Sequence, residues 1–188
     1  MKTKEALFTY VLRLTVTLLL IAVLVAAALA LVNQVTAPII AEANRQKVQQ
    51  AISLVLPGGY EEEITDFTDA TGLVQKVYKG AQGYALEVAP VGFDAEITLM
   101  VGVGYDGKVL GIWVVSHTET AGLGAVAAAT TAAGEAFRAQ YVGLSGEVAV
   151  TKDGGHIDAI TGATVTSRAI CDGVNAALAC VAGLGGAK

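Results

Sequence analysis

From Leu14 to Val32 the chain is apolar for 19 residues, interrupted only by Thr15 and Thr17. At about 1.5 Å per residue, a helix of that length spans about 28 Å, close to the ~30 Å hydrocarbon core of a bilayer. A helix-like spacing follows in Ile39, Ile40, Ala43, Val48, Ala51, Ile52 and Val55, with Pro38 suited to a helix start or a kink. Pro57-Gly58-Gly59 ends that element, and Glu61 to Gly72 reads as a polar loop. The period then changes to two. Leu73–Tyr78, Gly83–Val88, Ile97–Val103 and Lys108–Ser116 read as successive strands, the last two joined through an Asp106-Gly107 hairpin turn. Ala125–Tyr141 reads as an alanine-rich helix, and Glu147–Thr151 and Ile157–Ile160 as short strands around Asp153-Gly154-Gly155. A final helix over Thr164–Ala182 puts Ile170, Val174, Leu178 and Val181 on one face. The pattern predicts an α+β fold: an N-terminal transmembrane helix, then a mainly antiparallel sheet with flanking helices.

Charge sets the orientation. Residues 1–47 carry a balance of +3 and residues 48–188 a balance of −8, out of a total of −5. Lys2, Lys4 and Arg13 precede the apolar run, so the positive-inside rule keeps the N-terminus in the cytoplasm and exports the rest. A cleaved signal peptide is the rival reading, with Ala28-Leu29-Ala30 as its small-residue site. Such a signal has an apolar core of about 7–15 residues, and here the run continues past the site to Val32. The anchor is favoured, and either reading exports the remainder. The expected organisation is a cytoplasmic segment over 1–13, a transmembrane helix over 14–32, a connecting helix over 33–57, a folded domain over 58–182 and a mobile tail over 183–188.

Composition agrees and excludes some partners. The hydrophobic fraction is 54 % and the charged fraction 15 %, with a mean hydropathy of +0.58. A disordered acidic or basic tail needs the opposite balance. The acidic domain repels phosphate backbones, so no nucleic-acid partner is expected. Cys171 and Cys180 lie nine residues apart on one helix, about 13 Å along its axis, which is too far for a disulfide. They read as small packed residues.

Several motifs dissolve on inspection. Gly102, Gly104 and Gly107 match a G-x-G-x-x-G fingerprint, but a dinucleotide site needs that turn to enter a helix, and here it enters a strand. His117 and His156, with Glu119 and Asp158 nearby, make too thin a set for a metal centre. Ser116-His117 is not a nucleophile elbow. No metal and no catalytic residue are expected.

Two segments carry more. In Asp158-Ala159-Ile160-Thr161-Gly162-Ala163-Thr164-Val165-Thr166-Ser167, a strand ends, small residues turn, and hydroxyl residues open a helix. One reading is plain capping by Thr161 or Thr164. The other is an anion site, since a helix N-terminus offers open N–H groups and Gly162 and Ala163 leave room for a phosphate. In Ser116–Gly124, glycines permit close backbone approach, and Glu119 and Thr120 offer hydrogen bonds to a polar ring edge. An ordinary strand-to-helix loop is the alternative.

Together these segments resemble the paired signatures of the covalent FMN-binding domain in the G subunit of the Rnf electron-transport complex. The same domain occurs in the C subunit of the sodium-pumping NADH:quinone oxidoreductase. The first signature is met by Asp158, Thr161, Gly162, Ala163 and Thr164. The second runs from His117 to Gly124, with Ala121 where proline is usual. The resemblance covers nearly the whole chain, and its short length favours the Rnf type. It implies that a flavin transferase moves FMN from FAD onto Thr164 as a phosphoester. Thr161, Gly162 and Ala163 would then shape the phosphate pocket, and Asp158 would serve transferase recognition. Glu119, Thr120, Gly122 and Leu123 would contact the flavin. It further implies an electron-relay role without independent substrate turnover. The setting would be a single-pass cell-membrane protein whose FMN domain lies outside the cytoplasm. Its partners would be membrane lipid and the other subunits of a complex linking ferredoxin and NAD to Na⁺ or H⁺ movement. The chain has no ferredoxin or NAD signature of its own. The alternatives are a membrane-anchored sensor with a non-covalent ligand, and a pilin-like structural protein. The latter lacks a glycine before the apolar run.

Overall fold

The structure is a computed structural model that describes residues 2–185, with side chains for Phe8 and from Tyr10 onward. Residues 186–188 of the expected tail lie outside the described residues. Two compact units divide the chain after Gln46.

The first unit is helical. Helix α1 (Lys2–Val55) continues unbroken into the second unit, with Pro38 inside it. Its apolar side chains from Phe8 to Ile40 are exposed all round, and it is long and apolar enough to cross a membrane. The few hydroxyls in the apolar run are satisfied within the helix. Thr15 Oγ1 donates to Val11 O at 2.9 Å and Thr17 Oγ1 to Arg13 O at 2.8 Å. That back-bonding removes the cost of bringing a hydroxyl into hydrocarbon.

The second unit is built on a five-stranded sheet in the order β1-β2-β3-β4-β5, antiparallel throughout. The strands are β1 (Glu62–Ile64), β2 (Val74–Gly80), β3 (Gly83–Val88), β4 (Thr98–Gly104) and β5 (Val109–Ser116). Both faces are covered. On one, Tyr84, Leu86, Val88, Leu99, Val101 and Val103 pack against α3 (Thr164–Gly183) and its Ile170, Val174 and Val181. On the other, Ala51, Ile52, Val55 and Leu56 at the end of α1 lie on Tyr78, Ala85 and Met100. Gly102 pairs with Gly111 across β4 and β5, and a Cβ at Gly102 would run into the Val55 carbonyl. The pair forms a shallow seat for the helix end. The G-x-G-x-x-G match therefore has a packing origin, completed by Gly107, whose φ of 74° makes the hairpin turn.

Three expectations are corrected. The polar loop over Glu61–Gly72 contains β1, an edge strand in which Glu62 faces Lys79 and Glu63 faces Tyr78. Its two glutamates hide the strand pattern, as edge charges commonly do. The helix expected over Ala125–Tyr141 is two pieces: a 3₁₀ helix over Gly124–Ala128 and α2 (Ala132–Ala139). Thr131 caps α2 by accepting from Gly134 N–H, and Arg138 Nη1 reaches back to Ala127 O at 2.6 Å and Ala129 O at 2.9 Å. The break is thereby held by hydrogen bonds rather than by a turn sequence. The strands expected over Glu147–Thr151 and Ile157–Ile160 reduce to one parallel bridge, Val150 with Ile157. Side-chain amides replace the missing neighbours. Asn175 brackets Val148 N–H and C=O at 2.8 Å each, and Gln140 takes Asp158 N–H at 2.7 Å and its C=O at 3.3 Å.

Cys171 and Cys180 are free and buried. Tyr141 is also fully buried, its hydroxyl 3.5 Å from Cys171 Sγ.

Tyr78 provides a pH readout for the face under α1. Burial, then the Glu87 and Glu63 carboxylates and Tyr60, push its phenol up to about 12. An unfolded tyrosine titrates near ~10, so the folded chain holds this proton longer. The stability it contributes is intact below pH ~10 and is lost as pH rises to about 12. An alkaline absorbance titration should show one tyrosine delayed by comparison with a Tyr78→Phe chain. Identical titration curves would refute the assignment.

Candidate functional site

A cleft of about 310 Å³ opens where the β5–3₁₀ loop meets the first turn of α3. Its floor is that turn. Ala163 occupies the capping position and no side chain caps the helix. The first N–H to find a carbonyl is that of Ser167, on Ala163 O at 3.0 Å. Capping by Thr161 or Thr164 is therefore not what the hydroxyl-rich sequence does. Thr161 is exposed outside this cleft. Ser167 Oγ instead accepts from Ile160 N–H at 3.0 Å and donates to Ala163 O at 2.9 Å, closing the turn from behind. The helix opens with unpaired N–H groups, no acidic side chain in its first turn, and the Thr164 hydroxyl beside them. Gly162, with φ of 78°, makes the turn, and a Cβ there would press on Leu123.

A cation completes this end. Lys152 Nζ donates to Thr164 Oγ1 at 3.2 Å and lines the same cleft. Its neighbour Asp153 is taken by Arg168 in a two-point pair, Nε to Oδ2 at 2.6 Å and Nη2 to Oδ1 at 2.7 Å. That partner holds the Asp153 carboxyl below the usual range. The pair also pins the Thr151–Asp153 turn to α3 and leaves Lys152, among the described residues, with no carboxylate of its own. No motif spacing pointed to Lys152. It sits in an ordinary polar turn and reaches Thr164 only through the fold.

The opposite end is organised by Glu119, which is only 7 % exposed. Its Oε1 accepts from Phe93 N–H at 2.8 Å and Asp94 N–H at 3.3 Å, while its Oε2 accepts from the Thr166 hydroxyl. Gly92 and Gly124 approach it so closely that a Cβ on either would collide with the carboxylate. Glu119 thus spends both oxygens on the protein itself while still lining the cleft. It ties two loops to the helix.

Among the other expected residues, Thr120, Leu123, Gly162, Ala163 and Thr164 line the cleft together with Glu119. Gly122, Asp158 and Thr161 do not; they line a neighbouring cleft against α2. Phe93 lines the first cleft without having been singled out, and Val165 and Thr166 line it although the motif assigned them no contact. With Leu123 they give it apolar walls. An apolar slot ending in a cationic cradle of N–H groups is suited to a flat ring carrying a phosphate, and FMN has that shape.

These features define an α+β domain that follows an apolar helix in the chain and carries a cleft fit for a ring with a phosphate. The FMN-binding domain family matches residues 92–179, and the RnfG N-terminal region matches residues 1–55. The chain is 33 % identical to the G subunit of the Na⁺-translocating ferredoxin:NAD⁺ oxidoreductase complex of Acetobacterium woodii, over 93 % of this chain and 95 % of that one. It is 31 % identical to the G subunit of the ion-translocating oxidoreductase complex of Methanosarcina acetivorans, over 88 % and 92 %. It is likewise 31 % identical to the G subunit of the proton-translocating ferredoxin:NAD⁺ oxidoreductase complex of Clostridium ljungdahlii, over 100 % and 98 %. The chain belongs to the G-subunit family of Rnf-type ion-translocating oxidoreductase complexes.

Proposed function

We propose that this chain is the electron-relay subunit of an Rnf-type membrane complex and carries FMN as a phosphoester on Thr164. The observation that carries the reading is the uncapped start of α3, where the Thr164 hydroxyl sits beside open N–H groups and Lys152 Nζ. The flavin, when bound, supplies the electron-accepting and electron-donating chemistry. The protein's part is positional. The first turn of α3 and Lys152 hold the negative phosphate, Gly162 lets it approach the backbone, and Leu123 and Val165 exclude water from the ring. A tether at Thr164 prevents loss of the cofactor outside the membrane.

In this reading α1 anchors the chain over residues 14–32 with its N-terminus in the cytoplasm, and the domain over 58–182 faces the other side. A flavin transferase loads it there, recognising Asp158 on the neighbouring cleft. The ferredoxin and NAD sites belong to other subunits, and lipid surrounds the helix.

The test is expression with a flavin transferase, denaturation and in-gel flavin fluorescence. A dark band with an active transferase would rule out covalent attachment. Lys152→Met should slow labelling about tenfold, the scale of one charge-assisted hydrogen bond, and the deficit should narrow at high ionic strength. A labelling rate unchanged at low salt would remove Lys152 from the phosphate site.

A further inference from the structure

Phe93 combines two features that rarely occur together. Its side chain is 71 % exposed and lines the cleft, while its backbone N–H is held by the buried Glu119 carboxylate. Burying a carboxylate is costly unless its oxygens are fully hydrogen-bonded, and here both oxygens are engaged. Two glycines give up side chains to make room for it. The result of that arrangement is a loop held in place whose aromatic ring, among the described residues, joins neither apolar cluster and pairs with no other ring. An exposed phenyl ring contributes nothing to the core, so the clasp is explained by what the ring would cover.

Resting on the reading that this cleft takes FMN, we propose that Phe93 is the aromatic wall that stacks on the flavin ring. Glu119 is the positioning residue that holds it there. Thr166 couples this wall to the other end of the site. Its hydroxyl is on Glu119 Oε2, and it lies two residues after Thr164 on the same helical turn. One carboxylate thus sets the distance between the ring wall and the phosphate end. Flat heteroaromatic rings gain appreciable free energy by stacking on an aromatic side chain.

The experiment uses the full chain in detergent, prepared without transferase and titrated with FMN. Phe93→Ala should bind FMN about tenfold more weakly, within the range expected for loss of one stacked ring. Phe93→Trp should bind at least as well as the original chain and strongly quench the flavin emission, because an indole in van der Waals contact donates an electron to the excited ring. Glu119→Ala should weaken binding as Phe93→Ala does. The double variant should be no worse than either single one, and Glu119→Gln, which keeps the acceptor for Phe93 N–H, should restore binding. Unchanged affinity for Phe93→Ala, or undiminished emission for Phe93→Trp, overturns the stacking wall. Additive losses for Phe93 and Glu119 overturn the positioning role. If FMN binds and Phe93→Trp quenches it while the transferase-treated gel band stays dark, covalent attachment fails and the wall stands. A chain that neither binds FMN nor takes the label refutes both.

Discussion

A Thr164→Ala chain expressed with a flavin transferase should run as a completely dark band, while Thr164→Ser keeps the label. Four hydroxyls lie between Thr161 and Ser167, and the structure separates them by what each already does. Thr161 is exposed on the neighbouring cleft. Thr166 donates to the buried Glu119, and Ser167 closes the turn through Ile160 and Ala163. Of the two that line the cleft, Thr164 and Thr166, only Thr164 keeps its hydroxyl clear of Glu119, with Lys152 as donor to it. Thr161→Ala should therefore retain a strong label and Thr166→Ala a reduced one, since the latter loosens the Glu119 clasp without touching the attachment oxygen. A Thr164→Ala band that still fluoresces would move the attachment to another hydroxyl.

A second large effect concerns where the domain begins. A chain starting at Lys47 should fold, and one starting at Gly58 should not. Ile52, Val55 and Leu56 are at most 1 % exposed, packed on Tyr78, Ala85 and Met100. Burying a large aliphatic side chain contributes about 1.5–3 kcal/mol, so losing these three removes roughly 5–9 kcal/mol. A domain of this size has about 5–15 kcal/mol in total. Thermal unfolding by circular dichroism decides the matter. Equal melting temperatures for the two chains would show that the helix end contributes nothing to the fold.

Most of the architecture was legible because its signals are periodic. The long apolar run, the alternation in β3 and β4, the Asp106-Gly107 turn and the final helix all follow from local sequence. What escaped depends on partners distant in sequence. The segments around Val148 and Asp158 look like strands because they are extended and apolar. Their hydrogen bonds, however, go to Asn175 and Gln140, which no local window contains. The alanine-rich stretch breaks because Arg138 reaches back to Ala127 and Ala129.

The site divides the same way. Thr164, Gly162 and Ala163 could be found from their motif. Glu119 could be found but not its role, because a carboxylate's hydrogen-bond partners are invisible until the loops meet. Lys152 and Phe93 each lie far along the chain from the residues they serve, and a lysine in a polar turn or a phenylalanine in a loop carries no pattern.

The sheet order has a consequence for the history of each molecule. Every strand pairs with its neighbour in sequence, so the meander closes only short loops, which cost little chain entropy and form early. The clasp between Glu119 and Thr166 spans 47 residues and needs the last helix in place. Thr164 is presented only when that helix docks. Attachment there would act as a stamp on finished molecules, distinguishing chains that have completed assembly from those still stalled at the sheet.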